Sequence, residues 1–229
     1  MRSRQGAEYW NHVAYRGPQH PVTRVFAREK LRVLEKLRRR EGLGPLTELE
    51  CRQALVLDLG AGPGIFTLPL TQYFGRVLAV DMHINMLARN PASWKVRGNG
   101  LCLPFGAATF HLVFVGNLLH HLDDPEGCLA ECARVLRPDG ALLSVEPNAF
   151  HPLMFAFGLA VREERRLLRY APGYLARLAH KAGLTIVRRV ITGQIFQNAT
   201  PQWIVPLVLP FETRHYILGA YQLSVMRIR

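Results

Sequence analysis

Residues 54–70, ALVLDLGAGPGIFTLPL, decide the fold of this 229-residue chain. The first four residues form a continuous apolar run, as expected for a strand that is buried on both faces, and Asp58 closes the run. Residues 60–64 alternate glycine with other residues, so the backbone can turn tightly and present N–H groups to a ligand. Residues 65–73 then show the apolar spacing of a helix. Strand, glycine loop and helix together predict a nucleotide-type pocket.

The spacing of the glycines indicates which nucleotide the pocket binds. A dinucleotide fingerprint, G-x-G-x-x-G, that starts at Gly60 requires glycine at position 65, which is Ile65. The pattern present is D-x-G-x-G-x-G, which begins at Asp58. It resembles the first motif of the Rossmann-like S-adenosylmethionine-dependent methyltransferases, whose acidic residue also stands two places before the first glycine. The resemblance implies S-adenosylmethionine as the cofactor and ranks an NAD-dependent oxidoreductase last.

Two later positions extend the resemblance. A second buried strand ends in Asp81, at the distance from the glycine loop where a carboxylate can accept hydrogen bonds from ribose hydroxyls. The methyltransferases use this acid to bind both ribose hydroxyls of the cofactor; capping of the helix that begins at Ile84 is the alternative. After a third strand, 94–97, the family usually carries Asp where this chain has Asn99. Asn is a neutral and weaker acceptor for the adenine amino group, which bears on affinity rather than on cofactor identity.

The segments that follow the fourth strand indicate the subgroup. Residues 117–125, NLLHHLDDP, and residues 134–140, RVLRPDG, resemble the small-molecule methyltransferases that include the ubiquinone and menaquinone enzymes. The N-P-P-Y tetrapeptide of enzymes that modify base amino groups is absent from the sequence. By resemblance, the residues that bind the cofactor are Asp58, Gly60, Ala61, Gly62, Gly64, Asp81, Met82, Asn99, Gly100, Leu101, Asn117 and Leu118.

The same resemblance implies the architecture. We expect an α/β fold with a doubly wound, mostly parallel seven-stranded sheet and an antiparallel hairpin at its edge, formed by residues 185–192 and 217–227. Residues 1–50 are expected to form an N-terminal helical extension. The methyltransferase domain then covers residues 51–229, with a helical lid at about 149–170 after the fifth strand.

Two side chains are candidates for a catalytic base. His121 follows the fourth strand and Glu146 ends the fifth, so both stand at the edge where ligands bind in open α/β sheets. A hydrogen-bonded structural role is the alternative for each. His120 and His121 are adjacent and cannot share one helix face, so we expect no metal site. Methyl transfer from a sulfonium needs mainly positioning in a dry pocket, so we expect no catalytic triad.

The net charge of +12 lies outside the glycine-loop core. Residues 1–50 hold eleven Lys and Arg against six Asp and Glu, residues 51–150 hold seven against eight, and residues 151–229 hold eleven against three. These flanks suit an anionic partner, or they simply keep helices solvated. We predict a small-molecule or lipid-like substrate, with an anionic group as one option. The residues predicted to hold it are Tyr9, Trp10, His151, Arg165 and Arg166.

Two other functions stay open. An RNA methyltransferase is favoured by the isoelectric point near 10.2, but the missing N-P-P-Y and the lack of an appended RNA-binding module speak against it. A non-catalytic protein that binds S-adenosylmethionine is the other, because of Asn99. Both a monomer and a homodimer are compatible with the sequence.

Composition indicates the compartment. No stretch reaches the roughly 18 uninterrupted apolar residues that span a bilayer, and no apolar segment follows the charged N-terminus as in a secretory signal. The four cysteines form no C-x-x-C pair, and Cys128 and Cys132 read as core residues of one helix. We therefore expect a cytoplasmic protein with at most peripheral membrane contact. The proline-broken apolar segment 194–216 is expected to pack on the core, with a dimer or lipid contact as the alternatives.

Overall fold

The structure is a computed structural model that describes residues 16–229. Its centre is a seven-stranded sheet with the order β3-β2-β1-β4-β5-β7-β6. Strands β1 to β5 pair in parallel, and β7 runs antiparallel to both β5 and β6. The predicted sheet with its antiparallel edge hairpin is confirmed. The strands are β1 (Leu55–Leu59), β2 (Arg76–Asp81), β3 (Trp94–Arg97), β4 (Phe110–Gly116), β5 (Leu136–Pro147), β6 (Leu184–Thr192) and β7 (Tyr221–Ile228).

Helices cover both faces of this sheet. Short 3-10 helices at Leu119–His121, Arg162–Arg169, Gln202–Ile204 and Leu209–Phe211 supplement them. The α-helices are α1 (Pro21–Arg40), α2 (Glu48–Gln53), α3 (Thr67–Tyr73), α4 (Ile84–Ala88), α5 (Pro125–Val135), α6 (Pro152–Ala160), α7 (Pro172–Lys181) and α8 (Val205–Val208).

Alternating side chains of the central strands pack into two hydrophobic cores, one on each face of the sheet. Val56 belongs to the core that α1 and α3 cover, whereas Leu57, the next residue of β1, belongs to the core that α5 and α7 cover. Such alternation follows from the two-residue period of a strand, and it explains why the run is apolar throughout. Cys128 and Cys132 are fully buried in the second core, as predicted.

Helix α1 is packed on the sheet and also holds buried charges. The ammonium of Lys30 lies 2.8 Å from a carboxylate oxygen of Glu212, and neither side chain is exposed. Burial lowers the pKa of Lys30, and the charge of Glu212 opposes that change. Arg38, from the basic last turn, is likewise buried and donates to Glu35 at 2.7 Å. Part of the basic N-terminal charge is therefore internal, not solvated.

The structure corrects several boundaries. Strand β5 begins at Leu136, within the RVLRPDG motif, because Leu136 pairs with Phe110 and the register then shifts before Leu112 pairs with Ala141. The helix after the glycine loop begins at Thr67, two residues later than its pattern indicated. The segment predicted as a helical lid, about 149–170, comprises α6 and a 3-10 helix separated by Val161.

The apolar segment 194–216 packs on the core along one side only. Ile195 and Val205 are buried, but Trp203 and Leu207 are 74% and 69% exposed. The expectation of simple core packing was therefore wrong for half of this segment. Among residues 16–229, no helix combines the length and the apolar character needed to cross a lipid bilayer.

Candidate functional site

A cavity of about 600 Å³ opens at the carboxyl ends of β1, β2 and β4. The strand order reverses direction here, between β1 and β4, which is where open α/β sheets bind ligands. The glycine loop, the 3-10 helix after β4 and helix α6 contribute its walls, together with residues 196–199. Its size falls in the range of small-molecule pockets.

The glycine loop forms one wall through its backbone. Gly60, Gly62 and Gly64 all have positive φ, at 71°, 49° and 94°. A Cβ atom on Gly60 would lie 2.8 Å from the side chain of Leu118, and one on Gly64 would lie 2.3 Å from the ring of Pro91. Glycine is therefore required at both positions by the backbone conformation and by the packing beneath the loop.

Asp58 lies beneath this loop and does not line the cavity. It is 2% exposed and accepts a hydrogen bond from the hydroxyl of Thr67, which also accepts from Asn90. Burial, together with the charge of Asp81, raises the pKa of Asp58 to about 7, against the opposing effect of the Thr67 hydrogen bond. The acid of the first motif thus acts as a buried support that ties the loop to α3.

Asp81 lines the cavity from the end of β2. Its two carboxylate oxygens accept from the backbone N–H of Gly62 at 2.8 Å and of His83 at 2.7 Å. The N-cap of α4 is His83, with no side-chain hydrogen bond, so Asp81 is not the cap of that helix. Asn99 also lines the cavity, and its side-chain oxygen accepts from the N–H of Leu101 at 3.0 Å.

A buried histidine held between two carboxylates stands opposite the glycine loop. The Nδ1 atom of His120 lies 2.6 Å from Glu146, and its Nε2 atom lies 3.6 Å from Glu164. Glu146 is fully buried and also accepts from the N–H groups of Leu118 at 3.1 Å and Leu119 at 2.9 Å. Glu146 therefore fixes both the orientation of His120 and the turn on which the histidine stands.

The two adjacent histidines have opposite proton affinities. Burial disfavours a charged His120, but the carboxylates of Glu146 and Glu164 outweigh it and raise the pKa of His120 to about 9. Burial, the charge of His120 and the charge of Arg166 hold the pKa of His121 well below its ordinary value. At neutral pH the cavity therefore contains an imidazolium at His120 next to a neutral imidazole at His121, a separation of roles typical of acid–base sites.

His120, His121 and Glu164 also bring potential metal-ligating atoms within 4.8 Å of one another. While His120 is protonated, both of its ring nitrogens carry hydrogens and neither has a lone pair for a metal. The ion pair with the two carboxylates accounts for this proximity, and a site without metal stays our prediction.

The predicted cofactor residues fall into two groups. Most line the cavity directly: Gly60, Ala61, Gly62, Asp81, Met82, Asn99, Gly100, Asn117 and Leu118. Asp58, Gly64 and Leu101 are not among the described residues on its wall. Of the two candidate bases, His121 lines the cavity and Glu146 lies behind His120.

The predicted substrate residues are more scattered. His151 is buried, 3.1 Å from Gln194, and packs edge-on against Phe196. Arg166 donates to the carbonyl of His121 at 2.9 Å and is paired with Asp123, whereas Arg165 is exposed. Tyr9 and Trp10 lie outside the described residues.

Several wall residues were not predicted. They are His120, Glu164, and apolar side chains including Phe66, Leu153, Phe157 and Phe196. The sequence does not predict His120 as a wall residue, because nothing local distinguishes it from His121. Glu164 carries no sequence signal, since 44 positions separate it from His120 and only packing of the lid joins them.

Comparison with known proteins agrees with this geometry. Residues 57–144 match a family model described as a methyltransferase domain. The chain is similar to the demethylmenaquinone methyltransferase of Mycobacterium tuberculosis, with 39% identity over 103 residues, which is 44% of this chain and 44% of the relative. It is also similar to that of Lactococcus lactis, with 32% identity over 124 residues, which is 49% of this chain and 46% of the relative. Each match thus spans less than half the length of the relative.

Solved structures extend the likeness to almost the whole fold. A SAM-dependent methyltransferase from Thermotoga maritima superposes with a TM-score of 0.67 at 19% identity, over 90% of both chains. One from Archaeoglobus fulgidus superposes with a TM-score of 0.59 at 16% identity, over 87% of this chain and 94% of the other. At such identities the likeness concerns the fold. The strand order, the glycine loop and the matched residues agree, so residues 57–144 are similar to a methyltransferase domain, within a fold that this chain shares with solved SAM-dependent methyltransferases.

Proposed function

We propose that this chain methylates a small, largely apolar acceptor that carries an ionisable hydroxyl, such as a quinol. The observation that carries the proposal is one cavity that joins three features. These are the positive-φ glycine loop, the pair of histidines with opposite proton affinities, and an apolar wall from α6 and Phe196. The similarity to enzymes named for a demethylated menaquinone supports the same acceptor class.

The residues present fit the cofactor. The three glycines of the loop carry no Cβ, so a cofactor can approach its backbone closely, and a Cβ at Gly60 would strike Leu118. Asp81, at the end of β2, can exchange its contacts with the loop backbone for ribose hydroxyls, and the side-chain oxygen of Asn99, on the cavity wall, would accept from the adenine amino group. Bound S-adenosylmethionine would supply an electrophilic methyl group.

The chain's own residues then accept the proton of the acceptor and exclude water from the site. His121, neutral at pH 7, accepts the proton of the acceptor hydroxyl on its ring and returns it to solvent afterwards. The ion pair of His120 with Glu146, which also accepts from Leu118 and Leu119, fixes the turn that positions His121. The apolar side chains of the lid exclude water from the site.

Cofactor binding is tested by calorimetric titration with S-adenosylhomocysteine and with NADH. We expect S-adenosylhomocysteine to bind, NADH not to bind, and Asp81→Ala to lose most of the affinity. Asp139→Ala is the matched control, because Asp139 is an exposed acid in the turn at the start of β5, at the opposite edge of the sheet. Binding of NADH alone, or equal binding by both variants, would contradict the cofactor assignment.

Turnover is tested next with short-chain, water-soluble quinols and phenols. We expect His121→Gln to lower kcat about 100-fold while the affinity for S-adenosylhomocysteine is unchanged. Tight cofactor binding without turnover on any acceptor would favour the non-catalytic alternative. Salt-sensitive retention and methylation of RNA would favour the RNA methyltransferase instead.

A further inference from the structure

Two segments expose many large apolar side chains: residues 150–159, which contribute Leu153 and Phe157 to the cavity wall, and residues 202–218. The exposed fraction reaches 64% at Leu153, 69% at Leu207 and Ile217, and 74% at Trp203. We call this set the apolar rim; its members are Phe150, Leu153, Phe155, Phe157, Leu159, Trp203, Leu207, Phe211, Ile217 and Leu218. Contiguous exposed apolar groups of this number mark an interaction surface in a folded protein.

Helix α6 supplies four of the ten rim residues, and Phe150, just before the helix, adds a fifth. The nine residues of α6, PLMFAFGLA, contain no polar side chain, although a surface helix ordinarily has one polar face. Met154 and Gly158, one turn apart, are its buried stripe. Leu153 and Phe157 are exposed and also line the cavity, so the rim continues into the pocket. The remaining side chains of α6 are exposed to solvent, although none of them is polar.

The second half of the rim comes from residues 202–218, which are firmly attached to the fold. Trp203, Leu207 and Phe211 are all exposed along consecutive short helical turns, residues 202–211. The segment is held by the buried ion pair of Lys30 with Glu212. The exposed side chains are therefore presented by a fixed element.

Hydrogen bonds join the two halves. The side-chain amide of Asn148 donates to the carbonyls of Ile217 at 3.1 Å and Gly219 at 2.7 Å. The oxygen of the same side chain accepts from the N–H of Phe150 at 3.1 Å. One buried asparagine thus holds Ile217 and Phe150 on either side of it and connects the two segments that carry the rim.

Charge identifies the kind of partner. Arg162, Arg165 and Arg169 are exposed directly after α6, and Arg214 lies over the ring of Phe211. Of the three acids in residues 151–229, Glu164 and Glu212 are buried, which leaves one exposed acid. A second copy of the chain would place these arginines against each other, because a two-fold interface is self-complementary. Apolar side chains flanked by arginines suit an anionic lipid surface.

We propose that the apolar rim docks onto an anionic phospholipid bilayer, with the cavity mouth facing the membrane. The apolar side chains enter the interfacial region and the arginines contact lipid phosphates. A lipid-like acceptor can then pass from the bilayer to the cavity along Leu153 and Phe157 without crossing water. The docking itself does not depend on the proposed reaction.

Vesicle co-sedimentation tests the docking. The full chain is mixed with vesicles of phosphatidylcholine alone or of phosphatidylcholine with phosphatidylglycerol. We expect binding to the anionic vesicles, weakened by high salt, and at least a tenfold loss in Trp203→Glu/Leu207→Glu. Leu49→Glu is the matched control, since Leu49 on α2 is 65% exposed and lies away from the rim. Arg162→Glu should weaken binding to the anionic vesicles only.

Calorimetry with S-adenosylhomocysteine verifies that each variant is folded and keeps its cofactor site. Absence of binding by the unaltered chain, or equal binding by the double variant and the Leu49 control, overturns the proposal. Sedimentation velocity provides a further check: a dimer that the double variant dissociates would assign the rim to a second copy. Failure of methyl transfer with vesicle binding intact would count against the proposed reaction alone.

Discussion

Replacing Glu146 with Gln should remove a pH-dependent part of the protein's stability. Glu146 holds His120 at 2.6 Å in a fully buried position, and Glu164 adds a second carboxylate at 3.6 Å. The resulting pKa of about 9 lies about 2.5 pH units above the ordinary value of 6.5. At about 1.4 kcal/mol per unit, this corresponds to about 3 kcal/mol of folding free energy.

The sign of the effect follows from the direction of the shift. Because the folded state binds the proton of His120 more tightly than the unfolded chain does, the stabilisation is fully present below pH 6.5. It is lost as the pH rises from 6.5 toward 9. In Glu146→Gln the amide oxygen still accepts from Leu118 and Leu119, so the turn keeps its hydrogen bonds while His120 loses its nearer charge.

Urea unfolding at pH 6 and at pH 9.5 measures the effect. The free energy of unfolding of Glu146→Gln should be lower than that of the unaltered protein by about 2 kcal/mol at pH 6, and the gap should shrink strongly at pH 9.5. Glu163→Gln is the control, because that acid is exposed beside Glu164. A gap of the same size at both pH values, or an NMR titration of His120 near 6.5, would refute the reasoning.

Three further substitutions test the loop, the cofactor site and the core. Gly64→Ala should destabilise by at least about 2 kcal/mol more than Gly62→Ala, since only at Gly64 does the new Cβ meet a ring at 2.3 Å; urea midpoints compare the two, and equal midpoints would contradict the packing argument. Asn99→Asp should tighten S-adenosylhomocysteine binding about fivefold by supplying a charged acceptor, measured by calorimetry; unchanged affinity would mean that position 99 does not reach the adenine. Lys30→Met should cost about 3 to 5 kcal/mol because it leaves the Glu212 carboxylate buried without its partner, and adding Glu212→Gln should recover part of the loss in the same unfolding assay.

Local patterns predicted the parts of the fold that depend on local physics. The glycine loop needs positive φ at Gly60, Gly62 and Gly64, and only glycine adopts it cheaply, so its sequence is informative. Asp81 was predictable because it ends a buried strand, and strand ends meet at one edge of a parallel sheet. These features located the cavity and most of the residues on its wall that are predicted to bind the cofactor.

The remaining features depend on contacts between distant residues. Pro138 to Gly140 have the composition of a turn, yet pairing of Leu136 with Phe110 extends β5 through these residues. The ion pair of His120 with Glu164 exists only because the lid folds over the turn after β4. An apolar composition also cannot say which face is covered, so the exposure of Trp203 was not predictable.

The position of β7 has a consequence for how the chain is made. This strand is synthesised after all the others, yet it lies between β5 and β6, and it is the one strand of the sheet that β6 pairs with. On the ribosome, β5 therefore presents an open, apolar edge until residues 221–228 leave the exit tunnel. During the same interval, the described part of the sheet has no strand with which β6 can pair. Such an edge recruits other nascent chains. Slow translation of residues 221–228 would prolong the interval in which the protein is most prone to aggregate.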